Sequence, residues 1–242
     1  MHEKNLSSPA RFEDLAKALL DCGRVSEALS WVQRGLETFP TERLDDLLSL
    51  AVALELDLGH SEAVEQYAWR RFERNAGCEG FFRLLTVAEK VGRSSVLRAR
   101  ALDYLWQQVA DDESSSGIAR RSRWQKPKRG ELVSIFLREG DDEAMWQAFS
   151  SGPVAAELWA QVAEVRGKTH HEEAIALYRR LLPVLVESGS QGSHYEAAFS
   201  VVKKIKALRE VHGQLGMFGD ELAEIRLEWK RKRNFMKLLE TL

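Results

Sequence analysis

The sequence predicts an all-α fold: an α-α superhelix, or solenoid, of about six helix pairs. Two observations predict it. A pattern of bulky and small residues that suits a helix hairpin appears four times along the chain, and five prolines interrupt its 242 residues. Because proline breaks helices, this low number leaves long stretches free to be helical. Internal repetition of this kind is typical of stacked helical repeats.

The clearest unit runs from Phe12 to Pro40 and has the sequence FEDLAKALLDCGRVSEALSWVQRGLETFP. Apolar residues follow one helical stripe before Gly23 and a second stripe after it. The small residues Ala16 and Ala28 leave room for two helix backbones to approach, and larger apolar side chains fill the gaps around them. This order of bulky and small residues, with a closing proline, resembles the tetratricopeptide (TPR) motif.

The same order returns in GHSEAVEQYAWRRF around Ala63, in GDDEAMWQAF around Ala144 and in THHEEAIALYRRLL around Ala174. Extending the helices outward from these four anchors predicts six pairs of unequal length. The pairs are expected at residues 12–38, 44–75, 80–109, 130–150, 155–187 and 193–240.

Each of the four copies places a polar residue just before its second helix and a glutamate in the first turn. The polar side chain accepts a hydrogen bond from a free N–H at the helix start, and the glutamate complements the positive end of the helix. The predicted capping residues are Ser26, Ser61, Asp141 and Thr169.

Residues 111–129, DDESSSGIARRSRWQKPKR, break the pattern and predict a loop or linker. This segment divides a predicted N-terminal helical block, residues 1–110, from a C-terminal helical block, residues 130–242. Six cations around one tryptophan suit contacts with phosphates and stacking on a base. The candidate nucleic-acid contacts are Arg120, Arg121, Arg123, Trp124, Lys126, Lys128 and Arg129. A charge run is more often a solvated linker, whose cations would here offset acidic residues 111–113.

The last predicted pair has long helices, which a solenoid needs to cover its final core face. A second basic run, Lys230 to Arg233, is expected on the second of these helices. Four consecutive helical residues point in different directions, so they do not suit one ligand. The pattern therefore favours a structural role or an acidic protein partner for this run over nucleic acid.

Composition sets further limits on function. The formal net charge of -2 gives no global attraction to nucleic acid or to an anionic membrane. No apolar stretch approaches the length of a membrane span, and no apolar run follows the charged N-terminal residues. Cys22 and Cys78 stand far apart, which fits a reducing compartment. We expect a soluble, cytoplasmic protein without a membrane partner.

The later part of the chain resembles the C-terminal helical region of bacterial SWIM zinc-finger proteins and related uncharacterised proteins. The resemblance rests on ELVSIFLREGDDEAMWQAF, on HHEEAIALYRRLLPVLVESGSQGSHYEAAFSVVKKIKALREVHGQLG and on ELAEIRLEWKRKRNFMKLLE, and is most specific after Leu158. It implies a TPR-like interaction module, either a stand-alone relative or a fragment of a larger protein. The zinc-binding part of that family needs a Cys-x-Cys pair and a later Cys-x-His. This spacing does not occur here, so zinc and a DNA role do not carry over, and no metal or cofactor is expected.

Two smaller features suggest chemistry. His170, His171 and Glu173 are residue types that bind metals, and His170 and Glu173 could share one helix face. A third convergent ligand is not evident, so an exposed turn at a helix start is favoured over a metal site. Cys78 lies near a predicted helix start, where a thiolate is stabilised. Without a neighbouring histidine in sequence, an incidental or buried thiol is favoured for Cys78.

No phosphate-binding glycine loop, nucleophile elbow or HExxH helix occurs in the sequence, and we expect no enzymatic activity. The leading hypothesis is a protein- or peptide-binding scaffold that uses the concave face of the helix array, lined by the first helix of each pair. The candidate contact residues are Arg11, Lys17, Asp46, Arg83, Gln161 and Arg166. Exposed members among the seven tryptophans are further candidates, since tryptophan is enriched at binding hot spots.

The alternative hypothesis is a nucleic-acid-associated protein that binds through residues 120–129. A third possibility, an unrecognised enzyme, requires a pocket with convergent ionisable groups whose pKa values are perturbed. Salt dependence separates the first two hypotheses, because binding to phosphates weakens steeply with salt.

Overall fold

The computed structural model describes residues 8–40, 44–115, 126–190 and 194–242. Within those ranges the secondary structure is helical, without a strand. The helices are α1 (Pro9–Asp21), α2 (Val25–Thr38), α3 (Asp45–Asp57), α4 (Ser61–Arg74), α5 (Cys78–Lys90), α6 (Ser94–Ser115), α7 (Arg129–Glu139), α8 (Asp142–Ser150), α9 (Trp159–Arg166), α10 (His171–Ser190), α11 (Glu196–Val211), α12 (Leu215–Glu228) and α13 (Arg233–Leu239).

The chain forms two compact units, Met1–Gln108 and Val109–Leu242, with the boundary inside α6. In the first unit α1 packs against α2, α3 against α4, and each of these pairs against the helix that follows. In the second unit the same holds for α7 with α8, α9 with α10, and α11 with α12. Each unit is therefore built of helix pairs stacked in chain order, and the predicted all-α, TPR-like fold class is confirmed.

Among the described residues, the same turn joins α1 to α2, α3 to α4, α5 to α6, α7 to α8 and α11 to α12. In each, the first helix ends at a glycine whose φ lies between +67° and +76°. Other residues rarely adopt this backbone conformation. The next N–H then bonds back to the carbonyl five residues earlier, as from Asp141 to Phe136 at 3.0 Å, which satisfies a free carbonyl of the helix end. The five glycines are Gly23, Gly59, Gly92, Gly140 and Gly213.

Small residues set the closeness of the helices at Ala28 and Ala174, as the sequence predicted, whereas the anchors Ala63 and Ala144 are only half-buried. Ala16, Ala28 and Ala174 have no exposed surface. A Cβ added at Gly35 would lie 2.9 Å from Cβ of Phe12 and 3.0 Å from Cδ1 of Leu47. Bulky side chains in these positions would push the helices apart.

The structure corrects the predicted helix starts. Asp141 caps α8, because its side chain accepts a hydrogen bond from the N–H of Ala144 at 3.0 Å. Ser26 instead lies inside α2, and Ser61 is the first residue of α4 with His60 in the cap position. The left-handed glycine places the second helix directly after the turn, so the helix begins earlier than the polar residues indicated.

Two further boundaries differ from expectation. Helix α6 continues to Ser115, so the first residues of the expected linker are helical. The region expected as one long terminal pair contains three helices, because the chain turns between α12 and α13. Lys230, Arg231 and Lys232 therefore lie at this turn and not within a long helix. Trp229 and Phe235 on either side of the turn are buried, which holds the short α13 in place.

Candidate partner-binding site

A pocket opens in the second unit between the first helices of two consecutive pairs, α9 and α11. It has a volume of about 230 Å³, and its walls combine small and apolar residues with three polar side chains. Gly167, directly after α9, helps to form it because a side chain there would reach Leu208 of α11 at 3.3 Å. The residues that line it are Ala163, Glu164, Gly167, Tyr178, Lys204, Ala207 and Leu208.

The polar groups of this pocket neutralise one another. Lys204 on α11 donates a hydrogen bond to the Glu164 carboxylate on α9. This bond lowers the pKa of Glu164 and raises the pKa of Lys204, so both groups are charged at neutral pH. Tyr178 is 2% exposed, and burial raises the pKa of its phenol. The pocket therefore has an ion pair at its rim and a neutral phenol beneath.

Exposed apolar side chains continue from the pocket along α11. Val211 lies one helical turn beyond Ala207 and is 80% exposed. Leu215 and Met217, at the start of α12, are each about half exposed. Of these three residues, Val211 lies on the same helix as the pocket residue Ala207, and exposed apolar surface beside a pocket is typical of an interaction site.

The sequence-predicted contacts in the first unit lie on its surface. Arg11, Lys17, Asp46 and Arg83 are all exposed. Lys17 is paired with Glu13, one turn earlier on α1, and this hydrogen bond raises the pKa of Lys17.

Arg83 belongs to a small charge network at the start of α3. Arg71 donates to both carboxylate oxygens of Asp45 at 2.7 and 2.8 Å, and Arg83 lies 3.8 Å from the same carboxylate. The pairing with Arg71 holds the pKa of Asp45 below its usual value. The cavity beside this network measures about 20 Å³, room for a single water molecule, so it offers no ligand pocket.

The two candidates on α9 have different environments. Gln161 is exposed and lies three residues before Glu164, on the side of α9 that carries the pocket rim. Arg166 is buried: its guanidinium bonds to Glu173 at 2.5 Å and to Glu143 at 3.0 Å. Arg166 therefore links successive helix pairs and has little surface left for a partner.

The basic segment is only partly described. Arg120, Arg121, Arg123 and Trp124 lie outside the described residues. Arg129 is buried, and it pairs with Glu113 through two hydrogen bonds of 2.8 Å. It also donates to the hydroxyl of Ser151 at 2.6 Å, so it has a structural role, where the sequence predicted a phosphate contact. Lys126 and Lys128 are exposed, with Lys126 lying 3.2 Å from Glu157.

The histidines at the start of α10 do not gather with other ligands. His171 stacks on His212 with ring centroids 3.6 Å apart, and Glu173 is held by Arg166. The described part of the chain contains no group of three or more side chains suited to a metal ion. Cys22 is exposed and Cys78 is half-buried, and neither is in a disulfide bond among the described residues.

Sequence reasoning missed the pocket. It selected charged and polar residues on the first helices, whereas the pocket depends on the small residues Ala163, Gly167 and Ala207 of two different pairs. One sequence feature could have indicated the pocket. Ala207 is a small residue on a first helix, at a position that the helix pattern leaves exposed.

No protein-family model matches the chain, and no curated protein matches it. Among solved structures, the crystal structure of a thermophilic TPR protein from Thermus thermophilus is similar to 79% of this chain and to 98% of its own. The identity is 19% and the TM-score 0.29. Because this identity and this TM-score are low, the likeness carries no argument here, and the fold assignment depends on the packing of helix pairs within each unit.

None of the helices among the described residues is long and apolar enough to cross a membrane.

Proposed function

We propose that the chain is a protein-interaction module, and that the pocket between α9 and α11 receives a bulky apolar side chain of a partner peptide. The supporting observation is the pocket itself, with apolar walls at Ala163, Ala207 and Leu208 and a volume of about 230 Å³. Burying a side chain of the size of leucine or phenylalanine contributes about 1.5–3 kcal/mol. One such anchor gives specificity to an otherwise shallow surface.

The polar rim favours recognition of a side chain over its chemical conversion. Lys204 and Glu164 are bound to each other, so neither is positioned as an unpaired base or acid. They are instead placed to hydrogen-bond with the backbone of a peptide lying across the pocket. Val211 extends the contact surface beyond the pocket for a neighbouring apolar residue of the same peptide.

Selection from a random peptide library displayed on phage tests this function. We expect the enriched peptides to share at least one bulky apolar residue. Ala207→Trp fills the pocket from an exposed position and should weaken binding of those peptides at least tenfold. Ala223→Trp, on the exposed side of α12, is the matched control and should leave binding unchanged. Equal binding by the wild type and Ala207→Trp would show that the pocket is not the site.

The finer predictions from the sequence belong to this proposal. Gln161, on the side of α9 that carries the pocket rim, is a candidate contact for the remainder of the peptide. The exposed residues Arg11, Lys17, Asp46 and Arg83 of the first unit remain predicted partner contacts. The relation to SWIM zinc-finger proteins and the cytoplasmic location remain predictions. No described contact favours nucleic acid as the partner.

A further inference from the structure

A buried carboxylate in the first unit opens onto the protein surface. The side chain of Glu55, near the end of α3, is 4% exposed. It lines an open depression together with His60, Ser61, Glu62, Ala63 and Gln66. Its Oε2 lies 2.8 Å from Nδ1 of His60, and among the described residues this is the one hydrogen bond or ion pair that the Glu55 carboxylate makes.

The same turn position in the second unit shows how the fold compensates a buried charge. Glu55 stands four residues before the left-handed Gly59, and Arg209 stands four residues before the left-handed Gly213. Arg209 is also 4% exposed, but it pairs with Glu172 and Glu221, from the helices on either side. Its charge is therefore matched twice within the protein.

Glu55 has no comparable counterion among the described residues. His60 follows the glycine directly, as Gln214 does in the second unit, where the Gln214 side chain accepts a bond from Arg209 at 2.7 Å. His60 is itself 60% exposed, so it covers the carboxylate from the solvent side without being fixed by surrounding packing. A buried carboxylate without a fixed cation is costly, because burial removes its hydration.

The charges around the depression leave it negative. The start of α4 offers about half a positive charge to groups near its first turn. Glu62 lies in that turn and lines the depression with Glu55, so two carboxylates exceed this partial charge. Glu65 is nearby on α4 and is engaged by Arg93 at 3.3 Å and Arg100 at 3.7 Å, so these three groups add one positive charge beside the depression. With the helix start, that charge offsets only part of the two carboxylates of Glu55 and Glu62.

We propose that this depression binds the guanidinium group of an arginine side chain from a partner protein, with the guanidinium displacing His60 and pairing with Glu55. The unpartnered Oε1 of Glu55 and the exposed position of His60 make the carboxylate reachable from the surface. Guanidinium suits a buried carboxylate better than an ammonium, because it is less strongly hydrated and donates two parallel hydrogen bonds. This site lies in the first unit and is independent of the proposed apolar pocket.

Amide chemical shifts of Ser61, Glu62 and Ala63, followed by NMR during titration, test the proposal on the full chain. The probe is N-acetyl-arginine methylamide, and the citrulline analogue is its uncharged control of the same shape. We expect shifts that saturate with the arginine probe and none with citrulline. His60→Ala removes the cover and should tighten binding of the arginine probe at least threefold.

Glu55→Gln should weaken binding of the arginine probe at least tenfold. If Glu55→Gln does not fold, Glu62→Gln and His60→Ala together test the site. Glu62→Gln, at the exposed rim, is expected to weaken binding of the arginine probe about threefold. Equal binding of the arginine and citrulline probes overturns the site, as does weaker binding in His60→Ala. Equal binding of N-acetyl-lysine methylamide overturns the assignment to guanidinium.

Discussion

Gly35→Ala tests the close packing of helices on which the fold depends. Alanine is the better helix former, so the substitution alone would stabilise α2 by about 1 kcal/mol. The added Cβ, however, would lie 2.9 Å from Cβ of Phe12 and 3.0 Å from Cδ1 of Leu47. Cβ of Phe12 is attached directly to the α1 backbone and cannot rotate away, so the helices must shift.

Overpacking of this kind costs about 1–3 kcal/mol. Subtracting the gain in helix propensity leaves a net loss of about 1 kcal/mol in the free energy of unfolding. Gly219→Ala is the matched control, because Gly219 lies inside α12 and an added Cβ there meets no atom within 4 Å. It should stabilise the protein by about 0.5–1 kcal/mol.

Guanidinium denaturation followed by circular dichroism measures both variants against the wild type. The midpoint is expected to fall for Gly35→Ala and to rise for Gly219→Ala. If Gly35→Ala is as stable as Gly219→Ala, the backbones of α1 and α2 do not approach as described, and the role assigned to small residues is wrong.

Three further predictions concern stability. Ala28→Trp and Ala174→Trp, at two fully buried positions, should each lower the free energy of unfolding by about 1–3 kcal/mol in denaturation experiments. If both variants are as stable as the parent, the predicted helix register is wrong. Arg209→Met should lower the free energy of unfolding by about 3 kcal/mol, because it leaves the largely buried Glu221 unpaired. In a double-mutant cycle, adding Glu221→Gln should recover part of this loss, and strict additivity would show that the two side chains do not interact. The folded-state pKa of Asp45 is lowered by its hydrogen bond with Arg71, so this pair contributes stability that is present above about pH 4 and is lost as the pH falls further. Asp45→Asn should therefore flatten the pH dependence of the melting temperature in that range, and an unchanged profile would contradict the pairing of Asp45 with Arg71.

The sequence predicted the helix pairs well because each pair is encoded locally. The apolar stripes, the glycine of the turn and the alanines of the contact lie within about thirty residues, as from Phe12 to Pro40. Asp141 was found as a cap for the same reason. Ser26 and Ser61 were misplaced because their polar character suits a cap but the turn geometry puts the helix start before them.

The candidate sites were not predictable in the same way. Arg129 and Arg166 have the composition of surface cations, and only the packing of separate helices shows that acidic partners bury them. The pocket beside Ala207 depends on residues more than forty positions apart. Glu55 looked like any acidic residue of an amphipathic helix, and its burial depends on the neighbouring helices.

The proposed function depends on the surface between α9 and α11, which is expected to receive an apolar side chain of a partner. Titration with N-acetyl-phenylalanine methylamide, followed by NMR, tests it most directly. Saturating shifts are expected at Ala163, Ala207 and Leu208. They should be lost in Gly167→Leu, because the added side chain enters the pocket. Shifts spread evenly over the exposed apolar residues, or unchanged in Gly167→Leu, would contradict it.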